Sequence, residues 1–289
     1  NNESQFVKRE VKREVKKHDI REDIETFVIN LDRRKDRIEK FVKNYPIKHT
    51  IFSAVDGKKL KSTALLQKIF KNNKYNMSRG VVGCTLSHIK LLIQLVNSDK
   101  KAYLILEDDV TFTDKFNPKF NAIIESMNQL DWDLIYLGHH LISDMRKDGW
   151  DDSTKLKVDK WDKKSSFKYS LGGNFSYLVS RSGAEKILEY INTNGIETEI
   201  DKVFQNCNDE LNVFYTYPHL VFTKSILYNN LSIDSDVHRD FTSLKKDINY
   251  DNYTNCLKKG TEWNIDDVFS TDNNEDNNED NNEDNNEDN

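Results

Sequence analysis

Three consecutive carboxylates, Glu107-Asp108-Asp109, close an uninterrupted apolar run, Leu104-Ile105-Leu106. Such a run reads as a buried strand, which puts the acids at its C-terminal mouth, where open α/β sheets bind ligands. Two carboxylates ~4 Å apart repel by about 4 kcal/mol at an effective dielectric of about 20. Three of them at the edge of a core therefore require a cation. Hard oxygen donors with no Cys near them in sequence favour Mg²⁺, Mn²⁺ or Ca²⁺ over zinc, and a phosphate is the natural companion of such an ion. Strand alternation sends Glu107 and Asp109 to one side and Asp108 to the other. A bend at the strand end leaves open which pair touches the ion.

Other chemistry-bearing residues cluster at similar boundaries. In Asn30-Leu31-Asp32-Arg33-Arg34-Lys35-Asp36-Arg37 a strand stops and a helix begins. Backbone N–H groups at a helix start attract anions, and arginine binds phosphate bidentately. Asp56-Gly57 is a turn pair at the end of the next strand. Arg79-Gly80-Val81-Val82-Gly83-Cys84-Thr85-Leu86-Ser87-His88 places glycines, which allow close backbone approach, before a helix. Ser87 and His88 lie beside its apolar stripe, while Cys84 reads as a small packed side chain rather than a nucleophile. Ser235-Asp236-Val237-His238 is either a polar loop or a return to the ion through Asp236 and His238.

The elements that must position these groups alternate between two periods. Period-two or β-rich runs predict strands at residues 26–31, 49–55, 102–106, 133–137, 174–180 and 211–217. Helical spacing predicts helices over residues 33–45, 83–97, 121–129, 182–192 and 200–207, with Ser182 as an N-cap. Interleaved strands and helices imply an α/β fold with a mainly parallel central sheet flanked by helices.

Core-forming residues fall mainly between 25 and 240, which fits one large domain. Residues 1–24 form a charged extension, with Val7, Val11 and Val15 at helical spacing. Residues 241–270 are a C-terminal segment, and 271–289 repeat Asn-Asn-Glu-Asp without a packable residue. That repeat holds nine acids and no base, so the whole chain carries −6 but residues 1–270 carry +3. A mildly basic domain suits an anionic small ligand, and no nucleic-acid partner is expected. Cys84, Cys207 and Cys256 form no C-x-x-C pair, so neither a disulfide framework nor a zinc site follows and the compartment stays open. No apolar run reaches the ~18 residues of a membrane span, and no signal-like start is visible, so a soluble domain is expected. Four Asn-x-Ser/Thr sequons, at Asn76, Asn174, Asn230 and Asn252, reflect the Asn-rich composition.

Five collinear motifs carry a family resemblance. Phe27 to Arg37, Ala54 to Lys58, Gly80 to His88, Leu104 to Asp109 and Tyr177 to Leu188 resemble glycosyltransferase family 25. That family holds procollagen and lipooligosaccharide galactosyltransferases, and Leu130 to Gly138 is similar to its collagen-modifying branch. Glu107 and Asp109 also mimic the D-x-D spacing of many nucleotide-sugar enzymes. The resemblance implies a GT-A-like fold, a UDP-sugar donor (galactose or glucose), Mn²⁺ or another hard divalent cation, and transfer with inversion. The acceptor it implies is a hydroxyl of a collagen-like polypeptide or a glycan. It puts Asn30, Leu31, Arg33 and Asp56 around the nucleotide, Arg79 near the diphosphate, Ser87 and His88 in the donor site, and the acidic triplet on the metal. Asp201 matches an acid in the collagen enzymes and is the candidate base, although Lys202 beside it is expected to lower its pKa.

Overall fold

The computed structural model describes residues 20–44, 48–128, 130–141, 156–161 and 171–223, with Val237, Ser243, Leu244 and Phe269. The first half of the pattern becomes β1 (Ile24–Asn30), α1 (Lys35–Asn44), β2 (Thr50–Ser53), α2 (Ala64–Ile69), α3 (Arg79–Val96), β3 (Ala102–Glu107), β4 (Val110–Phe112), α4 (Phe116–Met127) and β5 (Leu134–Tyr136). The second half gives β6 (His140–Leu141), β7 (Lys157–Lys160), β8 (Leu171–Gly172), β9 (Ser176–Ser180), α5 (Arg181–Asn194), α6 (Ile200–Asn206), β10 (Val213–Tyr217) and β11 (Val221–Thr223). The extension helix through Val15, the acidic repeat, Asp236, His238 and Cys256 lie outside the described residues.

Seven strands form the main sheet in the order β2-β1-β3-β9-β5-β10-β7. β1 runs parallel to β2 and β3, and β10 parallel to β5. β9 is antiparallel to both β3 and β5, and β7 is antiparallel to β10. The sheet is therefore mixed, which corrects the expectation of a mainly parallel one. Parallel neighbours need a crossover, usually helical. Between β5 and β9 no helix intervenes among the described residues, so the chain returns alongside β5 in the opposite direction.

Alternation along the central strands builds a core on each face. Tyr103 and Ile105 of β3 pack with α2, α3, α5 and α6, while Leu104 and Leu106 pack with Phe41 of α1 and Ile123 and Ile124 of α4. The apolar spacing of α3 puts Val82, Leu86, Ile89 and Leu92 wholly inside. By length and composition α3 alone, among the described residues, could cross a membrane, but 61% of it is buried within the fold.

Helix boundaries shift for local reasons. α3 starts at Arg79 rather than Gly83, so both of its early glycines are helical. A Cβ on Gly83 would stand 2.6 Å from the Val55 carbonyl oxygen, and one on Gly57 would overlap the Arg79 carbonyl. The glycines let α3 and the segment after β2 touch backbone to backbone. α5 is capped by Ser180, not Ser182: its Oγ accepts the Gly183 N–H at 3.0 Å. β9 runs straight into α5, and its last residue already has the extended backbone that a cap needs. α4 begins at Phe116 rather than Asn121, because Pro118 falls in the first turn, where its missing N–H is not needed. The short α2, β4 and β11 carry too few residues to show a period.

Candidate functional site

Because β1, β2 and β3 are mutually parallel, their C-terminal ends meet at one edge of the sheet. The register pairs Ile29 with Glu107 and Asn30 with Ser53. Glu107 continues the Tyr103–Ile105 face toward α3, and Asp108 takes the opposite face toward α1. There Asp108 is buried and held on both oxygens. Its Oδ1 accepts Arg37 Nη1 at 2.7 Å, and its Oδ2 accepts Asn30 Nδ2 at 2.6 Å. Asn30 also donates to the Arg34 carbonyl at 3.2 Å, tying the strand end to the start of α1.

Glu107, Asp108 and Asp109 border a cleft of about 750 Å³, counting the space at its mouth, that Leu31, Arg33, Asp56 and Lys58 also line. Burial, then the Asp201 carboxylate, pushes Glu107 up to about 7, although a third of its side chain still reaches solvent. Asp109 is likewise pushed up to about 7, by burial and then by Glu107. Its Oδ1 is buried with no hydrogen-bond partner, and Arg37 Nη2 lies 3.7 Å from its Oδ2. Crowded, partly desolvated carboxylates with an unpartnered oxygen fit a hard divalent cation. Asp108, engaged by Arg37 and Asn30, is the least available of the three.

On the α3 side, His88 is 1% exposed. Its Nδ1 sits 2.8 Å from the Tyr177 hydroxyl, and its Nε2 lies 3.8 Å from Glu107 Oε1 with no hydrogen-bond partner. Burial holds the imidazole down at about 4, so it is neutral near pH 7. One turn earlier, Cys84 faces the same spot: ligand atoms of Cys84, His88 and Glu107 lie within 4.8 Å of one another. This corrects the expectation that no cysteine stands near the acids. Remoteness in sequence hid the contact, because α3 folds back against β3. Burial pushes the Cys84 thiol up, so the group is protonated without a metal.

The remaining expected residues divide between the cleft wall and its supports. Ser87 Oγ donates to the Gly83 carbonyl at 2.7 Å and accepts the Val55 N–H at 2.9 Å, stapling the exit of β2 to α3. Asp56 caps the 3₁₀ turn Gly57–Lys59 through the Lys58 N–H at 3.1 Å and lies 3.4 Å from Arg33 Nε. Arg79 is not on the cleft wall; its Nη1 donates to the carbonyls of Gly57 at 2.9 Å and Leu60 at 2.8 Å. Asn30 supports Asp108 rather than lining the cleft.

Asp201 stands in the first turn of α6, with Oδ2 accepting the Gly173 N–H and Oδ1 the Asn174 N–H, each at 3.0 Å. Burial raises its pKa against the pull of those two bonds. The lowering expected from Lys202 does not occur, because the ammonium turns away to Gln205 Oε1 at 3.0 Å. Asp236 and His238 lie outside the described residues, although Val237 between them lines the cleft. Sequence reasoning missed Arg37 and Lys58 as site residues. Arg37 stands in the first turn of α1, a position that no spacing within the basic run 33–37 signals.

The comparisons with known proteins take in the segments that build this edge of the sheet. The model of the family described as glycosyltransferase family 25 (LPS biosynthesis protein) matches residues 23–204. "Putative glycosyltransferase R655" of Acanthamoeba polyphaga mimivirus is 29% identical over 237 residues, 78% of this chain and 70% of the relative. Procollagen galactosyltransferase 2 of Mus musculus is 35% identical over 127 residues, 39% of this chain and 20% of the relative. Inactive glycosyltransferase 25 family member 3 of Homo sapiens is 28% identical over 179 residues, 57% of this chain and 28% of the relative. The chain thus matches only a fifth to about a quarter of those two animal proteins. The family match takes in β1 through most of α6, and with them every cleft residue named above except Val237. With 182 of its 289 residues inside that match, the chain belongs to glycosyltransferase family 25.

Proposed function

We propose that the protein is a metal-dependent, inverting hexosyltransferase that moves galactose or glucose from a UDP-sugar to a hydroxyl group. The observation that carries this reading is the pair Glu107 and Asp109, both pushed up to about 7 at the edge of a cleft that also holds Arg33 and Lys58. Carboxylates poised for a cation beside cationic side chains match the needs of a nucleoside diphosphate. A GT-A-like reading is supported by the position of the cleft at the C-terminal ends of β1, β2 and β3.

Glu107 and Asp109 would hold Mn²⁺ or another hard divalent ion, with Asp108 fixing the turn that presents Asp109. When bound, such an ion neutralises charge developing on the leaving diphosphate, a stabilisation of several kcal/mol. Leu31, Arg33, Asp56 and Lys58 surround the nucleotide, and the neutral His88 closes the wall behind Glu107. Asp201 is the proposed base. Its raised pKa suits proton acceptance, and each oxygen keeps a lone pair beyond its backbone bond. The name of the murine relative supports collagen hydroxylysine, or galactose already attached to it, as acceptor. The family description supports a lipopolysaccharide-type glycan as the alternative.

The test is a panel of UDP-sugars with Mn²⁺, each with and without a hydroxylysine-containing collagen peptide. The expected result is metal-dependent UDP release from UDP-galactose or UDP-glucose. Release from no donor overturns the enzyme reading and favours a binding protein without turnover, as the resemblance to an inactive human family member would allow. Asp201→Asn is expected to lower kcat while leaving the donor KM unchanged. A raised KM with normal kcat assigns Asp201 to positioning Gly173 and Asn174 instead.

A further inference from the structure

We propose that Cys84, His88 and Glu107 form a separate cation site for a borderline-soft ion of the zinc class, and that it shares Glu107 with the hard-cation position. Cys84 and His88 are four residues apart on α3, so one helix face presents both, and β3 brings Glu107 to that face. Their ligand atoms already lie within 4.8 Å of one another. A tetrahedral zinc with bonds of about 2.0–2.3 Å needs ligand separations only about an ångström shorter, which side-chain rotation supplies.

The second observation is His88 itself. It is 1% exposed, and its Nε2 has no hydrogen-bond partner although Glu107 Oε1 lies 3.8 Å away. The other ring nitrogen is held by the Tyr177 hydroxyl at 2.8 Å, and an outer hydrogen bond of this kind fixes the orientation of the ring. A bound ion would give Nε2 the partner it lacks. Sulfur and imidazole donors select zinc-class ions over Mg²⁺ or Mn²⁺. All three side chains also line the cleft, leaving the fourth coordination position open to water or ligand. On binding, the Cys84 S–H bond breaks, its proton passes to solvent water in the cleft, and the thiolate sulfur bonds the metal.

Asp109 takes no part in this set, so the two ions divide the acidic run: Asp109 and Glu107 for the hard cation, Glu107 with the helix for the soft one. Zinc occupancy draws Glu107 toward α3 and raises the Mn²⁺ concentration needed for half-maximal UDP release. Only that competition rests on the hexosyltransferase reading; the site itself does not.

The experiment reads metal binding directly. Chelator-stripped full-length protein is titrated with Co²⁺ and then with Zn²⁺. The expected result is one thiolate-to-cobalt charge-transfer band per chain, bleached by Zn²⁺. Cys84→Ser abolishes the band and weakens zinc binding roughly ten- to a hundredfold or more, whereas Asp109→Ala keeps both. A spectrum without the band, or a band that survives Cys84→Ser, overturns the proposal. X-ray absorption of the zinc-loaded wild-type protein needs no variant: a sulfur neighbour at about 2.3 Å is expected, and a shell of nitrogen and oxygen alone overturns it. If no UDP-sugar is turned over but the cobalt band forms, the function fails and the site stands.

Discussion

At the scale of single residues, Asp108 and Asp109 differ in how the fold holds them: both Asp108 oxygens are bonded, while Asp109 Oδ1 is not. The Arg37 and Asp108 side chains are 14% and 7% exposed, so removing the carboxylate leaves a guanidinium in a poorly solvated place. Breaking a buried pair from one side costs about 3 kcal/mol or more, and the Asp109 oxygen at 3.7 Å recovers part of that. Asp108→Ala is therefore expected to lower the unfolding free energy by about 2–3 kcal/mol in urea denaturation, with or without metal. Asp109→Ala is expected to leave stability unchanged or higher and to abolish cation-dependent UDP release; normal metal-dependent release in that variant moves the ion elsewhere. The same residues set the pH response. Glu107 and Asp109, held near 7, bind protons more tightly when folded, so their contribution is full at low pH and lost as pH rises through 7. Asp201 shifts in the same direction. His88 runs the other way: its value of about 4 lies below the ordinary 6.5, so its contribution is complete above 6.5 and lost as pH falls through 4. Of these four groups, only the carboxyls still titrate between about pH 6.5 and 8. The melting temperature of the metal-free protein should fall across that window, and saturating Mg²⁺ or Mn²⁺ should flatten the slope. The split between Glu107 and Asp108 was legible from alternation along one strand. Arg37 was not, because which of four nearby basic residues reaches the acids depends on where α1 starts.

At the scale of elements, α3 and the segment after β2 are joined through glycines, and this junction shapes the Asp56–Lys58 wall of the cleft. Adding a Cβ at Gly83 requires the Val55–Gly57 backbone to retreat, since the Val55 oxygen and the Gly57 nitrogen lie 2.6 and 2.7 Å from the new atom. Backbone cannot yield as a flexible side chain can, so Gly83→Ala is expected to cost about 1–3 kcal/mol. It should also raise the donor KM, because Asp56 and Lys58 move with the segment. An unchanged KM, measured by UDP release, would mean that the segment does not touch the donor. Such contacts explain what the sequence could and could not convey. Strong periodicities located β1, α3, β3, α5 and α6 within a few residues, because burial enforces them. Direction within the sheet was not encoded in any one strand: the run 176–180 looks the same whichever way it pairs. Among the described residues no helix separates β5 from β9, and the antiparallel pairing of those two strands set the direction. Residues 110–112 and 221–223 are too short to display a period, and they became strands by pairing with each other.

At the scale of the whole molecule, the sheet divides the interior into two layers with unequal connections to the cleft. On one face, α3 carries Leu86 into the core and Cys84, Ser87 and His88 to the cleft wall within a single turn and a half. On the other face, α4 contributes Ile123, Ile124 and Met127 to the core and no residue to the wall. Leu86 and Ile124 are 0% and 2% exposed, so truncating either to alanine leaves a comparable cavity and costs about 2–5 kcal/mol. Stability alone would not tell the two layers apart. Function should, because a cavity under α3 lets the helix settle and shifts three wall residues together, whereas a cavity under α4 relaxes away from the site. Leu86→Ala is therefore expected to raise the donor KM severalfold and to weaken zinc binding, while Ile124→Ala keeps both near wild type at the same loss in urea midpoint. Equal effects on KM would show that the sheet transmits strain from both faces, and that α3 holds no privileged place in the architecture of the site.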